Sequence, residues 1–298
     1  MAGPSVLRAA TTRLVEPEKR GIATGVVNAG GSFGQFLFAP LAALISSAAG
    51  WAAAVQSMAV LTLLALPAAW VLRGSSAQQP AGAAQTAAPT HAPARTDTTR
   101  QAIARAMRDP NFLLLGAGFF VCGFHVAFIA THLPGVVASC NLPAVLGAWA
   151  LGIVGLFNIV GSLAMGWAVG RWRMKSLLSL VYAARAVAVL AFVLAPKTEL
   201  TLLVFAAVIG LPDHSTVPPT VGLVAKFYGT ANMGTLFGLV MLSHQIGGFL
   251  GAYLGGKAFE WTGSYDWMWY ADIVLAVGAA LINLPIREAR LVRAPQPA

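Results

Sequence analysis

The sequence predicts an all-α, polytopic helical membrane protein with eight transmembrane helices. Three observations carry this. Eight runs of about 20 apolar residues, the length of one helical crossing of a bilayer core, lie at roughly 22–47, 52–72, 111–137, 144–169, 176–195, 200–224, 233–255 and 267–286. The connecting segments alternate between basic and nearly uncharged. The chain is 57% hydrophobic and only 10% charged, against about 25% charged for a soluble domain.

The loop charges also orient the spans. Arg8, Arg13, Lys19 and Arg20 precede span one, and Arg73, Arg95, Arg100, Arg105 and Arg108 follow span two. Arg171, Arg173 and Lys175 follow span four, Lys226 follows span six, and Arg287, Arg290 and Arg293 follow span eight. These sixteen face only Lys197 and Lys257 on the other side, with Arg185 alone inside a span. Basic loops stay on the cytoplasmic side, so both termini are expected in the cytoplasm and the protein in the cell (inner) membrane.

The +9 net charge therefore reports topology and attraction to the lipid bilayer's anionic headgroups. No aromatic-interleaved basic patch points to nucleic acid. Cys122 and Cys140 form neither a metal-ligand spacing nor a disulfide framework. No cleavable leader is read at the start, where Arg8 and Arg13 interrupt the apolar character. No Gly-x-Ser-x-Gly elbow, His-Glu-x-x-His or Walker Gly-Lys-Ser/Thr is present. An enzyme, a metal site and a cofactor are therefore not expected, and neither is ATP-driven transport by this chain alone.

Composition divides the chain at residues 74–110, which are rich in Ala, Pro, Thr and Gln and read as a cytoplasmic linker. Its tail, Gln101–Asp109, fits a short basic amphipathic helix at the membrane surface. Residues 1–73 thus carry two spans and residues 111–298 carry six. Glycines recur at helix-packing intervals: Gly21, Gly25, Gly30 and Gly34 in span one, Gly166 and Gly170 in span four, and Gly234, Gly238, Gly247, Gly251 and Gly255 in span seven. Such stripes let helix backbones approach closely.

Span six is the irregular one. Pro212, Pro218 and Pro219 remove backbone donors, and the freed carbonyls must be satisfied by neighbours or by a wet cavity. Asp213, His214, Ser215 and Thr216 sit in that break. A polar, broken segment at mid-bilayer depth marks a binding region. Asp213 and His214 are read either as a proton relay or as a satisfied polar pair at the kink.

Other polar residues inside spans are few. They are Asn28, Ser32 and Gln35 in span one, His125, Thr131 and His132 in span three, Asn158 and Ser162 in span four, Arg185 in span five, Ser243, His244 and Gln245 in span seven, and Asp272 and Asn283 in span eight. A charge at the bilayer centre costs at least about 2.5–3.5 kcal/mol, so these should face protein or water. His125 and His132 share a helix face about 10 Å apart. They suit a ladder of polar contacts along a pore wall, or each bonds a neighbouring helix. Arg185 either pairs with Asp213, bonds carbonyl oxygens at the span-six break, or binds an anion. Asp272 lies only a few residues inside span eight, where hydration makes it a weak candidate.

The stretch EPEKRGIATGVVNAGGSFGQFLFAPL, with Gly50–Trp51 after it, resembles the fifth helix of the major facilitator superfamily, in its bacterial monocarboxylate-transporter-like branch. The runs GWAVGRWRMKSLLSLVYAARA, STVPPTVGLVAKFYGT and LSHQIGGFLGAYLGGKAFEWTGSYDWMW look like helices eight to twelve. The resemblance implies a secondary transporter with two six-helix halves and alternating access. Spans three and six would then be the cavity-lining helices seven and ten, which raises His125, His132, Asp213 and His214. The family's loop pattern Gly-x3-Asp-Arg-x-Gly-Arg/Lys-Arg/Lys is matched at Gly166, Arg171 and Lys175. Gly170 stands where Asp is usual and Arg173 where Gly is usual. Gly25-x8-Gly34 echoes an antiporter motif without its Gly-Pro step, and antiport is not inferred.

By this resemblance residues 1–73 correspond to part of the N-terminal half, with GPSVLRAATTRLV similar to the end of helix four, and helices one to four are lacking. Residues 111–298 correspond to the complete C-terminal half. The expectation is secondary active transport of a small solute, such as an organic anion of the monocarboxylate kind, coupled to an ion such as the proton, by a chain read as either active or inactive alone. The alternative is a non-transporting membrane subunit that assists a partner protein.

Overall fold

The computed structural model describes residues 15–16, 19–63, 98–229 and 231–288. Among them the secondary structure is entirely helical. The helices are α1 (Arg20–Leu63), α2 (Thr99–Ala106), α3 (Pro110–Ser139), α4 (Val145–Ala168), α5 (Met174–Leu194), α6 (Glu199–Asp213), α7 (Val217–Tyr228), α8 (Met233–Thr262) and α9 (Asp266–Asn283). Six stretches are long and apolar enough to cross a membrane, with α6 and α7 together making one of them.

The eight apolar runs fall on these elements in order. The first two share α1, a 44-residue helix interrupted at Gly50 (φ 85°, ψ 165°). That is a backbone conformation open to glycine at little cost, and it falls inside the uncharged corner read between spans one and two. The second run ends at residue 72, and 64–72 lie outside the described residues. So does most of the linker. Its tail is α2, closed by a capping box in which Thr98 and Gln101 satisfy each other's backbone N–H. The two helix faces of α2 separate as expected, with Ala102 and Ala106 buried.

Helix ends elsewhere follow their local sequence. Asp109 caps α3 by accepting from the Asn111 N–H, with Pro110 in the first turn, where its missing donor costs nothing. Thr198 caps α6. Lys197 donates from Nζ to the carbonyls of Phe192, Val193 and Ala195 at the end of α5, the cation at the negative pole of a helix.

The glycine stripes seat the helices in pairs. Gly247 and Gly251 of α8 lie against the Phe120 and Phe124 backbone of α3, where a Cβ would collide. Gly21 and Gly25 of α1 meet Gly166 and Ser162 of α4, and Gly155 of α4 meets Ser32 and Phe36. Gly161 and Gly210 bring α4 and α6 together in the same way. Gly30 and Gly238 face open space within 4 Å, so the packing role read for those two is not realised among the described residues.

Two apolar clusters fill the bundle. One gathers Leu115, Phe119, Tyr182, Val217, Val221 and Phe237. The other gathers Phe128, Val154, Val189, Phe192, Phe205 and Trp269. Between them, along α3, α5 and the α6–α7 break, runs a layer holding His125, Arg185 and Asp213, all at most 2% exposed. Outward faces carry large apolar side chains such as Leu180, Val187, Leu194 and Val274, as a bilayer-facing surface requires.

Candidate functional site

The site is built around the break in span six. Pro212 sits in the last turn of α6, and Pro218 and Pro219 in the first turn of α7. The carbonyls of Pro212 and Asp213 have lost their helical donors. Arg185 of α5 replaces them: Nε and Nη2 donate to Pro212 O at 3.1 and 2.8 Å, and Nη2 also donates to Asp213 O. Bonding carbonyl oxygens at the break, one of the roles read for Arg185, is present in the geometry. Its Nη2 also lies 3.4 Å from Cys122 Sγ, its guanidinium carbon lies 5.3 Å from the Tyr182 ring centre, and Nη1 has no hydrogen-bond partner among the described residues.

Asp213 and His214 are brought together. His214 Nδ1 is 2.7 Å from Asp213 Oδ2 and also 2.7 Å from Asn158 Nδ2. One ring nitrogen cannot serve both. With a proton it donates to Asp213, and without one it accepts from Asn158. Asn158 is held ready for this: its Oδ1 accepts from Ser162 Oγ at 3.1 Å and from the His214 N–H at 3.2 Å. Asn28 of α1 extends the chain, donating to Ser162 Oγ at 2.7 Å and to His214 O at 3.4 Å. Three helices, α1, α4 and α6, thus meet in one polar cluster, in which Asp213 is buried and the His214 side chain is 28% exposed.

A cavity of about 150 Å³ opens beside this cluster, lined by Gln35 of α1, Val126 and Ile129 of α3, Leu151 and Val154 of α4, and Asp213. Gln35 also donates to Leu151 O at 3.4 Å. The volume is several times a water molecule's share of about 30 Å³. A larger groove of about 600 Å³ lies between α4 and α5, but it is apolar and no charged side chain lines it.

The remaining histidines go elsewhere. His125 Nδ1 is 2.7 Å from Asp272 Oδ2 of α9, and His132 Nε2 is 2.8 Å from Ala252 O of α8. Each bonds a neighbouring helix, and neither lines the 150 Å³ cavity. His244 of α8 is half-buried, with its ring 5.0 Å from the Phe119 ring of α3 and its Nδ1 3.3 Å from Gln245 Oε1; it does not line the 150 Å³ cavity. Asp272 corrects the sequence reading: it is 0% exposed and paired, not hydrated. Counting residues from the end of a span set its depth but not the side of the helix it faces, and α9 turns it inward onto α3.

The loop matched by Gly166, Arg171 and Lys175 is held by a partner from outside the motif. Gly166 packs on Gly21 and Gly25. Arg171 stacks on the Trp167 ring at 3.9 Å. Lys175 donates its backbone N–H to Glu288 Oε2 at 3.0 Å and its Nζ to Leu284 O at 2.6 Å. Lys226 reaches Glu288 Oε1 at 3.2 Å, and Arg173 donates to Glu288 O at 2.9 Å. Glu288, 4% exposed, thus supplies a carboxylate that the loop itself lacks at Gly170. The three basic residues without a local acid were the signal that could have pointed to it.

A bundle of long apolar helices with a polar layer at half depth, broken at one helix and walled by glycine-seated pairs, defines a multi-pass membrane protein. The chain belongs to the Major Facilitator Superfamily, whose family model matches residues 2–252. It is 26% identical over 274 residues to an uncharacterized MFS-type transporter, YcxA, of Bacillus subtilis (strain 168), covering 89% of this chain and 64% of that protein. It is 26% identical over 277 residues to monocarboxylate transporter 13 of Rattus norvegicus (90% and 60%), and 21% identical over 269 residues to monocarboxylate transporter 12 of Mus musculus (83% and 55%). The chain therefore spans less than two thirds of the length of these curated relatives.

Proposed function

We propose that this chain serves secondary active transport of a small organic anion by alternating access, with the Asp213–His214–Asn158 cluster on the solute and proton path. The observation that carries the proposal is the shared Nδ1 of His214, placed at 2.7 Å from both a carboxylate and an amide. A proton entering or leaving there exchanges one hydrogen bond for another between α6 and α4, which is the kind of differential contact a conformational switch needs. Family membership and the two relatives named as monocarboxylate transporters support a monocarboxylate as the solute. Arg185, the one buried Lys or Arg among the described residues, supplies positive potential beside Asp213.

In this reading residues 111–298 form one six-helix half and α1 belongs to the other, joined by the linker at 74–110. The basic loops and both termini face the cytoplasm, and the protein resides in the cell membrane. The test is uptake of radiolabelled small monocarboxylates by proteoliposomes holding the full chain under an imposed pH gradient. Uptake in the wild type that drops at least about tenfold in Asp213→Asn supports the reading. No uptake of any acid above that of empty liposomes overturns it.

A further inference from the structure

His125 and Asp272 form a second buried carboxylate–imidazole pair, outside the Asp213 cluster. His125 stands midway along α3 and is 1% exposed; Asp272 of α9 is 0% exposed. They meet through one atom each, Nδ1 and Oδ2, at 2.7 Å. The other two polar atoms, His125 Nε2 and Asp272 Oδ1, are buried and have no hydrogen-bond partner among the described residues. A buried carboxylate with one partner is costly in an apolar interior, and a buried ring nitrogen without a partner is uncommon enough to need a reason.

We infer that this pair is a proton-binding site, and that the proton adds at His125 Nε2. Nδ1 is committed to the carboxylate as its donor, so Nε2 is the bare acceptor. Without the extra proton the pair carries one negative charge; with it, imidazolium and carboxylate sum to zero. No other bond changes. The added proton turns the 2.7 Å contact between Nδ1 and Oδ2 into a charge-assisted hydrogen bond between opposite charges.

His125 is one residue along α3 from the cavity wall. Val126, the next residue of α3, lines the cavity together with Ile129 and Asp213. The charge of the pair is therefore felt inside the cavity, where an unprotonated pair repels an anion and a protonated one does not. This consequence rests on the transport reading above; the proton site itself does not. Other titratable groups on the packed elements share the field. On α3 these are Cys122 and His132, and on α5 they are Tyr182 and Arg185. Asp213 and His214 stand at the end of α6 and His244 on α8, while α4 brings none among its buried residues. Arg185 is held against the carbonyls of the break, and His132 is held by Ala252.

The experiment is nitrogen NMR of the full chain in detergent, with labelled histidine and no solute, across about pH 5–8, where a histidine changes charge. The five histidines allow assignment of His125 by its loss in His125→Gln. The expected result is that Nε2 of His125 gains a proton as pH falls while Nδ1 stays protonated throughout. Asp272→Asn, which keeps the side-chain shape, removes that step from the window. The proposal is overturned if His125 Nε2 keeps one protonation state over the whole range, or if Nδ1 titrates in its place. Both outcomes are read on the wild type, and if His125→Gln does not fold, single replacement of the other four histidines assigns His125 as the signal none of them removes. A titrating Nε2 in a protein that moves no solute keeps the proton site and removes the transport reading.

Discussion

Arg185 donates to the carbonyl oxygen of Pro212 through both Nε and Nη2, and so closes the helix break that Pro212, Pro218 and Pro219 open. Removing the guanidinium leaves the Pro212 carbonyl with the long bond from the Ser215 N–H at 3.4 Å, and the Asp213 carbonyl with the Cys122 thiol at 3.9 Å. A buried group without a partner costs about 1–3 kcal/mol. Arg185→Gln is expected to destabilise the detergent-solubilised protein by roughly that amount, or somewhat more, and to lower its midpoint of thermal unfolding. An unchanged midpoint would show that the break is satisfied in another way.

Asp109 caps α3 and accepts from Asn111 N and Nδ2 at 2.9 Å and from Tyr228 Oη at 2.6 Å. Partial burial pushes its carboxyl up, but these hydrogen bonds outweigh it and hold the group below the ordinary carboxylate range. A lowered folded-state value contributes stability that is complete above the unfolded value, about 3.9. That stability is lost as pH falls through the folded one. Asp109→Ala is expected to cost about 1 kcal/mol at neutral pH, and the difference from wild type should shrink below about pH 4. Denaturation at several pH values checks both parts.

Gly251 and Gly30 give a paired test of helix packing. A Cβ on Gly251 collides with the Phe124 backbone, whereas one on Gly30 meets nothing within 4 Å. Gly251→Ala should cost about 1–3 kcal/mol as overpacking. Gly30→Ala should be neutral or stabilise by about 0.5–1 kcal/mol through helix propensity. Equal effects at the two positions would contradict the observed α3–α8 seam.

Glu288 ties the loop of Arg173 and Lys175 to Lys226. Glu288→Gln keeps its shape and one acceptor but removes the charge. It is expected to cost about 1.5–3 kcal/mol, the range for hydrogen bonds to a charged group. Lys226 is 27% exposed at its side chain, so raising salt should narrow the gap between variant and wild type. Proteolytic nicking between α4 and α5 should quicken in the variant.

The parts of this fold that could be read in the sequence are those fixed by local chemistry. The apolar runs, the break at Pro212–Pro219 and the corner at Gly50 each depend on residues next to one another. Which of its several possible roles Arg185 takes at that break depends on a contact 27 residues away, and packing selects the Pro212 carbonyl. Asp272 and Glu288 were not legible, because which way α9 faces and where its following segment runs are settled by packing. The same holds for His132, whose place in sequence is identical whether it lines a path or bonds Ala252. Polarity inside a span does not separate His244 from Gln245, yet α8 turns the first toward Phe119 of α3 and leaves the second exposed.

The most direct test follows solute and internal pH together in one preparation of proteoliposomes, comparing the full chain with His214→Asn. Replacing the imidazole removes the nitrogen that stands between Asp213 and Asn158 but leaves the cavity lined by Gln35 and Asp213. The proposal predicts that an outward gradient of the transported acid acidifies or alkalinises the lumen of wild-type vesicles in proportion to solute moved. In His214→Asn the proton movement should fall at least about tenfold relative to solute exchange. Proton and solute movement that stay coupled in the variant as in the wild type would contradict the account.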